Sequence, residues 1–184
     1  MERLERDVIL IRLIDELRGK GSWCGETHVQ KATYFLQKMA GVPTEFEFIL
    51  YKHGPFSFDL RDELAAMRAD GLVTLHVQDP MYGPRIVPED ATASRLKEQF
   101  PKTLERHESR IAFVAEKLGD KRVVDLERLA TALFITKELA PTGNASLRAQ
   151  RINFLKPHVS VADALESIRS VDCWQNEAQT LNAP

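Results

Sequence analysis

Apolar and polar residues alternate along this chain with periods that switch several times, and the switches divide it into elements. Residues 3 to 18 carry Leu4, Val8, Ile11, Ile14 and Leu17 on one helical side, with Ile9, Leu10 and Leu13 broadening it. So wide a stripe predicts a helix buried between two neighbours, or one that offers a face to another chain. Gly19 and Gly21 end it. Residues 26 to 39 repeat the helical period through Val29, Ala32, Phe35, Leu36 and Met39. The pattern then switches to alternation in EFEFILY, residues 45 to 51, which predicts a strand.

Beyond that strand comes YKHGPFS, residues 51 to 57, and then a third helical period from 58 to 70 through Leu60, Leu64 and Met67. Ser57 fits the N-cap of this helix, and Gly71 suits a left-handed stop after it. LVTLHV and GPRIVP read as two short strands joined by the turn-rich QDPMY. Further helices are expected over 91 to 100, 102 to 118, 125 to 139, 146 to 155 and 161 to 171. Pro101 marks one break, APTGNA forms a loop, and Asp125 and Ser160 are candidate caps.

The order helix, helix, strand, helix, strand, turn, strand predicts a mainly α (α+β) protein. Residues 1–90 would form a winged-helix-like domain with a small β hairpin. Residues 91–171 would form a helical extension packed on it, and residues 172–184 a frayed tail on which Trp174 packs back. A mixed α+β domain of another topology fits the same periods.

Composition narrows the functional classes. An apolar share of 43% supports a sizeable core, and a formal net charge of −2 argues against a protein that coats nucleic acid generally. No apolar run nears the ~20 residues needed to span a bilayer. Cys24 and Cys173 lie far apart without metal-ligand spacing, which predicts free thiols in a reduced cytoplasm. The five histidines are scattered, so no local metal motif exists, and no phosphate-binding glycine loop or nucleophile elbow occurs. Neither a cofactor nor a metal is expected.

Three groups of residues have chemical potential. His53 beside Lys52, with Asp59 and Asp62 downstream, can be drawn as an acid–base cluster. The conformational reading explains more: Gly54 takes a positive φ, Pro55 cannot extend a strand ladder, and Ser57 starts a helix. Cys24 and His28 could pair as thiolate and base at a helix start. On the helix after Pro101, Lys102, Arg106, Arg110 and Lys117 fall within about 80° of one another and form a candidate face for nucleic acid or an acidic partner. The third helix carries Arg61 and Arg68 against Asp59, Asp62, Glu63 and Asp70, a balance that disfavours docking against phosphates.

VQKATYF, EFEFILYKHGPFS and DGLV together give the pattern Gln30, Lys31, Tyr34, Gly54, Pro55, Ser57, Leu60 and Gly71. In this pattern the chain resembles the YwgA-like hypothetical proteins, related to the Panacea (SocA-like antitoxin) domain family. His53 departs from it, because an aromatic residue is more usual before Gly-Pro. The resemblance implies a small winged-helix-like or mixed α/β regulatory domain that binds proteins as an antitoxin or adaptor, with no catalytic residues. The expected function is therefore non-catalytic protein binding, with another protein or a second copy docked through residues 3–18. A DNA-binding transcriptional regulator is the alternative, and an enzyme using His53 or Cys24 a third reading.

Overall fold

The computed structural model describes residues 1–78, 83–139 and 143–181. It is mainly helical, with two small antiparallel hairpins. The elements in order are α1 (Arg3–Gly19), α2 (Glu26–Lys38), β1 (Ile49–Tyr51), β2 (Gly54–Phe56), α3 (Phe58–Ala69), β3 (Val73–His76) and β4 (Arg85–Pro88). They continue with α4 (Asp90–Gln99), α5 (Pro101–Leu118), α6 (Val123–Phe134), α7 (Ala145–Leu155) and α8 (Val161–Leu181). A π-helical turn, Ile135–Leu139, extends α6. Most of the QDPMY connection and the first half of APTGNA lie outside the described residues.

α1 is the central helix. Val8, Ile9, Leu10, Ile11, Leu13, Ile14 and Leu17 are wholly buried, covered by α2, α4, α5 and β4. A helix with so wide an apolar stripe is stable only when neighbours cover most of its surface, while Arg3, Arg6 and Arg12 pair outward. This removes the homodimer expected through residues 3–18, because only Leu4 among the stripe residues remains exposed. A single apolar cluster runs from Val8 to Ala178, so the helices after residue 90 complete the same core as those before it.

The C-terminal segment departs from the expected frayed tail. Residues 172–181 continue α8. Arg148 of α7 donates to both carboxylate oxygens of Asp172 at 2.7 Å, and Trp174 meets Phe35 edge-on at 6.1 Å. A bidentate guanidinium–carboxylate pair and a packed indole offset the entropy that would otherwise fray a terminus.

The strand expected over residues 45 to 51 shortens to Ile49–Tyr51. Gln37 of α2 is the reason. Its side chain accepts from Phe46 N–H at 2.9 Å and from the Thr44 hydroxyl at 2.7 Å, and donates to Phe46 carbonyl at 3.0 Å. With Glu45 at φ 61, residues 44 to 46 are irregular backbone held against α2 instead of extending.

Several local expectations hold. Ser57 caps α3 by accepting from Leu60 N–H at 3.1 Å, and Gly71 stops it at φ +67. Ser160 accepts from Asp163 N–H at 3.1 Å ahead of α8. Asp125, expected as the cap of α6, is not: α6 begins at Val123 with Arg122 at its N-cap, so Asp125 lies inside the first turn and pairs with Arg122 at 3.0 Å.

Candidate functional site

YKHGPFS folds as a tight hairpin that leads directly into α3. Tyr51 pairs with Gly54 across Lys52 and His53, Leu50 with Pro55, and Ile49 with Phe56. Pro55 therefore sits within a strand, contrary to the expectation that it could not extend a ladder. In an antiparallel pair, hydrogen-bonded and non-hydrogen-bonded positions alternate. The turn-closing pair is Tyr51–Gly54, so Pro55 falls at the next, non-bonded position, where a missing N–H costs the hairpin nothing.

Three side chains on one face of α2 hold this hairpin. Gln30 donates to Ser57 carbonyl at 2.9 Å and accepts from Ser57 N–H at 3.0 Å. Lys31, 2% exposed, donates to Pro55 carbonyl at 2.8 Å. Burial pulls the Lys31 ammonium down to about 8, against an opposing pull from the Glu127 carboxylate. Tyr34 packs edge-on against Phe48 at 5.0 Å, and burial pushes its phenol well above the ordinary range.

From the other side, α6 closes on Gly54. A Cβ there would lie 3.1 Å from Thr131 Oγ1 and 3.4 Å from Glu127 carbonyl, and the residue stands at φ +86. His53 is exposed, with Nδ1 2.9 Å from Glu127 Oε1. Lys156 donates to Tyr51 carbonyl at 3.0 Å and also to Lys52 carbonyl. Gln30, Lys31, Tyr34, Gly54, Pro55 and Ser57, scattered over 28 positions of sequence, thus form one joint between α2, α6 and α3. Gln30 and Lys31 spend their polar groups on backbone, whereas the buried Tyr34 hydroxyl has no hydrogen-bond partner among the described residues, and the joint positions the start of α3.

α3 in turn forms one wall of a groove of about 620 Å³. The opposite walls are the start of α2, the β3–β4 sheet and residues 121 to 123, which lead into α6. Leu64, Val73, Leu75, Ile86 and Trp23 give it an apolar floor, and Arg61, Arg68, Lys121 and Arg122 line it with positive charge against the single carboxylate of Glu26. Residues 24 and 25 join the sheet beside β4, through Ile86 N–H to Cys24 carbonyl at 2.9 Å and a bridge from Gly25 to Arg85. Trp23 donates to Gly83 carbonyl at 2.9 Å, and the Arg85 guanidinium lies 5.5 Å over its ring.

The acidic balance counted along α3 does not describe this groove. Glu63 is bound by Arg3 at 2.7 Å and by Arg6 at 2.8 Å, and Asp70 by Arg3 at 2.7 Å. α1 thereby neutralises Glu63 and Asp70, two of the four carboxylates of α3, while Arg61, paired with Asp62, and Arg68 line the groove. In the same cluster Asp7 is fully buried, and its carboxyl is held well above the usual range by burial and then by the neighbouring Glu63 charge.

The candidate stripe on α5 is divided. Lys102 and Arg106 are exposed, but Arg110 is half-buried and donates to Gly41 carbonyl at 3.5 Å. Lys117 pairs with Glu177 of α8 at 2.5 Å and lies over Phe113 and Trp174. Only its first turn and a half presents free cations.

Cys24 and His28 do not form a nucleophile–base pair. The thiol is buried, its sulfur is directed at Ile14 carbonyl at 3.9 Å, and burial pushes it up to about 12. His28 is engaged by Ser22 Oγ at 2.7 Å and Leu118 carbonyl at 2.9 Å, and burial pulls it down to about 4. Among the described residues no three His, Cys, Asp or Glu side chains converge as a metal site, and no helix is long and apolar enough to cross a membrane. No protein-family model matches the chain, and no curated protein matches it.

The joint was visible in the sequence as a motif, whereas the groove was not. Its lining comes from residues 23 to 28, 61 to 68, 73 to 75, 83 to 86 and 121 to 123, and no local pattern links these segments.

Proposed function

We propose that the protein is a non-catalytic regulator that acts by binding another protein, as an antitoxin or an adaptor does. The observation that carries this reading is the groove beside α3, whose apolar floor suits the side chains of a polypeptide. The joint residues shared with the Panacea (SocA-like) pattern support it, because each of them fixes the position of α3 and hence of one groove wall. The order of α1, the Gly25 bridge, α2, α3 and the β3–β4 hairpin supports a winged-helix-like arrangement of residues 1–90. Two unpaired cysteines, one buried and one exposed, suit a reducing cytoplasm.

The test is affinity capture from native lysate, with nuclease present, using the full chain and an Ala65→Trp variant. Ala65 is exposed and lines the groove, so an indole there fills the groove without entering the core. The expected result is a protein partner retained by the wild type and lost by the variant. Identical capture by both would remove the reading.

A second reading, duplex DNA binding, draws on Arg61 and Arg68 of α3 beside the β3–β4 hairpin. It predicts binding that weakens steeply with salt and that falls when these arginines are replaced.

A further inference from the structure

We infer that the groove beside α3 receives an acidic, amphipathic helical segment of a partner protein, anchored by aliphatic side chains. The inference rests on the protein-binding reading above and specifies the chemistry of the partner.

Charge is the first argument. The chain as a whole carries a formal −2, yet the groove brings Arg61, Arg68, Lys121 and Arg122 together against one carboxylate. Arg61 is shared with Asp62 at 3.2 Å, Lys121 with Asp120 at 2.6 Å and Arg122 with Asp125 at 3.0 Å, while Arg68 has no ion-pair partner among the described residues. Two helix starts also reach the groove. α2 has Gly25 at its N-cap and α6 has Arg122, and neither supplies a side-chain acceptor for the first-turn N–H groups. Those N–H groups and the associated helix dipoles add to the positive field. Acidic groups gain from each of these features.

The shape of the floor decides the mode of docking. Val73 and Leu75 are two apart on β3, so they project from the same face of the sheet, and Ile86 is paired with Leu75 on that face. The groove meets the sheet by its face, so an added strand has no backbone edge to bond. A ligand must instead engage through side chains, the helix-in-groove mode with anchors at i and i+3 or i+4. The floor also favours polypeptide over nucleic acid. A phosphodiester backbone has no aliphatic groups to cover Leu64, Val73, Leu75 and Ile86, and the Trp23 ring already carries the Arg85 guanidinium on one face.

The experiment selects peptides from a random 14-residue phage library on the full-length wild type. Enriched sequences are then synthesised and measured by fluorescence anisotropy against wild type, Ala65→Trp, Leu75→Gln and Arg61→Glu/Arg68→Glu. Circular dichroism melts show which variants fold, and Leu75→Gln, at an exposed floor position, serves if Ala65→Trp does not. We expect peptides with an excess of Asp and Glu around aliphatic anchors at helical spacing. Binding should weaken about tenfold or more on charge reversal and on groove filling, and should weaken with salt.

Neutral or basic peptides lost on groove filling would overturn the acidic assignment and leave the protein-binding reading standing. Peptides that ignore every groove variant, or a library that enriches nothing, would overturn the inference. A 20-base-pair duplex that competes with the peptides and loses affinity on charge reversal would give the groove to nucleic acid and overturn it as well.

Discussion

The Gln30 side-chain amide closes both backbone groups of Ser57, donating to its carbonyl at 2.9 Å and accepting from its N–H at 3.0 Å. Both residues are wholly buried, so water cannot replace either bond. Gln30→Ala leaves the buried Ser57 N–H unpaired and its carbonyl with only the Arg61 N–H at 3.2 Å, and should cost about 1–3 kcal/mol in urea denaturation. Gln30→Glu keeps one acceptor but cannot donate to the carbonyl, so it should not restore stability at neutral pH. A loss below about 0.5 kcal/mol for both would show that the joint is held elsewhere.

Gly54 and His53 are neighbours with opposite sensitivities. Gly54→Ala must place a Cβ at φ +86 and 3.1 Å from Thr131 Oγ1, and should lose about 1–3 kcal/mol. Combining it with Thr131→Ala should recover only the steric part, because the backbone conformation stays unfavourable. His53→Ala breaks an exposed pair with Glu127 and should change stability by less than about 1 kcal/mol.

Much of this arrangement was legible in the sequence, and the limits have physical causes. The cap at Ser57, the stop at Gly71 and the break at Pro101 depend on neighbouring residues, and each appears where local chemistry places it. The length of β1 depends on Gln37, whose three bonds to residues 44 and 46 turn a well-patterned stretch away from the sheet. Pro55 was misjudged because its tolerance depends on register, which the pattern alone does not give. The wide stripe of residues 3 to 18 allowed two readings, and only the packing of α2, α4, α5 and β4 around it chose burial. The charge on α3 was countable from sequence, but Arg3 and Arg6, about sixty residues earlier, decide what that count means.

Lys31 should give the protein an alkaline signature. Its folded-state value near 8 lies below the ordinary 10.5, so the unfolded chain holds more protons between those pH values. Stability should therefore rise with pH across that window, by at most ~1.4 kcal/mol per pH unit from this group. Urea midpoints at pH 7.5, 8.5 and 9.5 would show the rise in wild type and its absence in Lys31→Met. Parallel profiles for the two proteins would contradict the assignment. Tyr34 acts in the opposite direction, because its raised value removes stability as pH climbs above about 10.

Arg148 gives the clearest test of the C-terminal helix. Its side chain is 9% exposed and donates to Asp172 twice and to Thr136 Oγ1 at 2.9 Å. Arg148→Ala leaves the partly exposed Asp172 without this partner, and the lost charge-assisted bonds should cost about 1–3 kcal/mol. Removing residues 172–184 should cost at least as much, since Trp174 and the Lys117–Glu177 pair leave with the helix. Unchanged thermal melts after that truncation would restore the segment to a tail.

The burial of α1 has a consequence for how the chain is made. Its partners include α5, and the Arg12–Glu108 and Lys20–Glu116 pairs each span 96 positions. A nascent chain that has emerged only to the end of β4 therefore carries seven wholly buried aliphatic side chains of α1 without the helix that covers one flank. Until residue 118 clears the ribosome these seven aliphatic side chains of α1 have no finished place to go, and a holding chaperone has a ready target there. Ribosome-bound chains arrested just short of α5 should be far more protease-sensitive than chains arrested beyond α8.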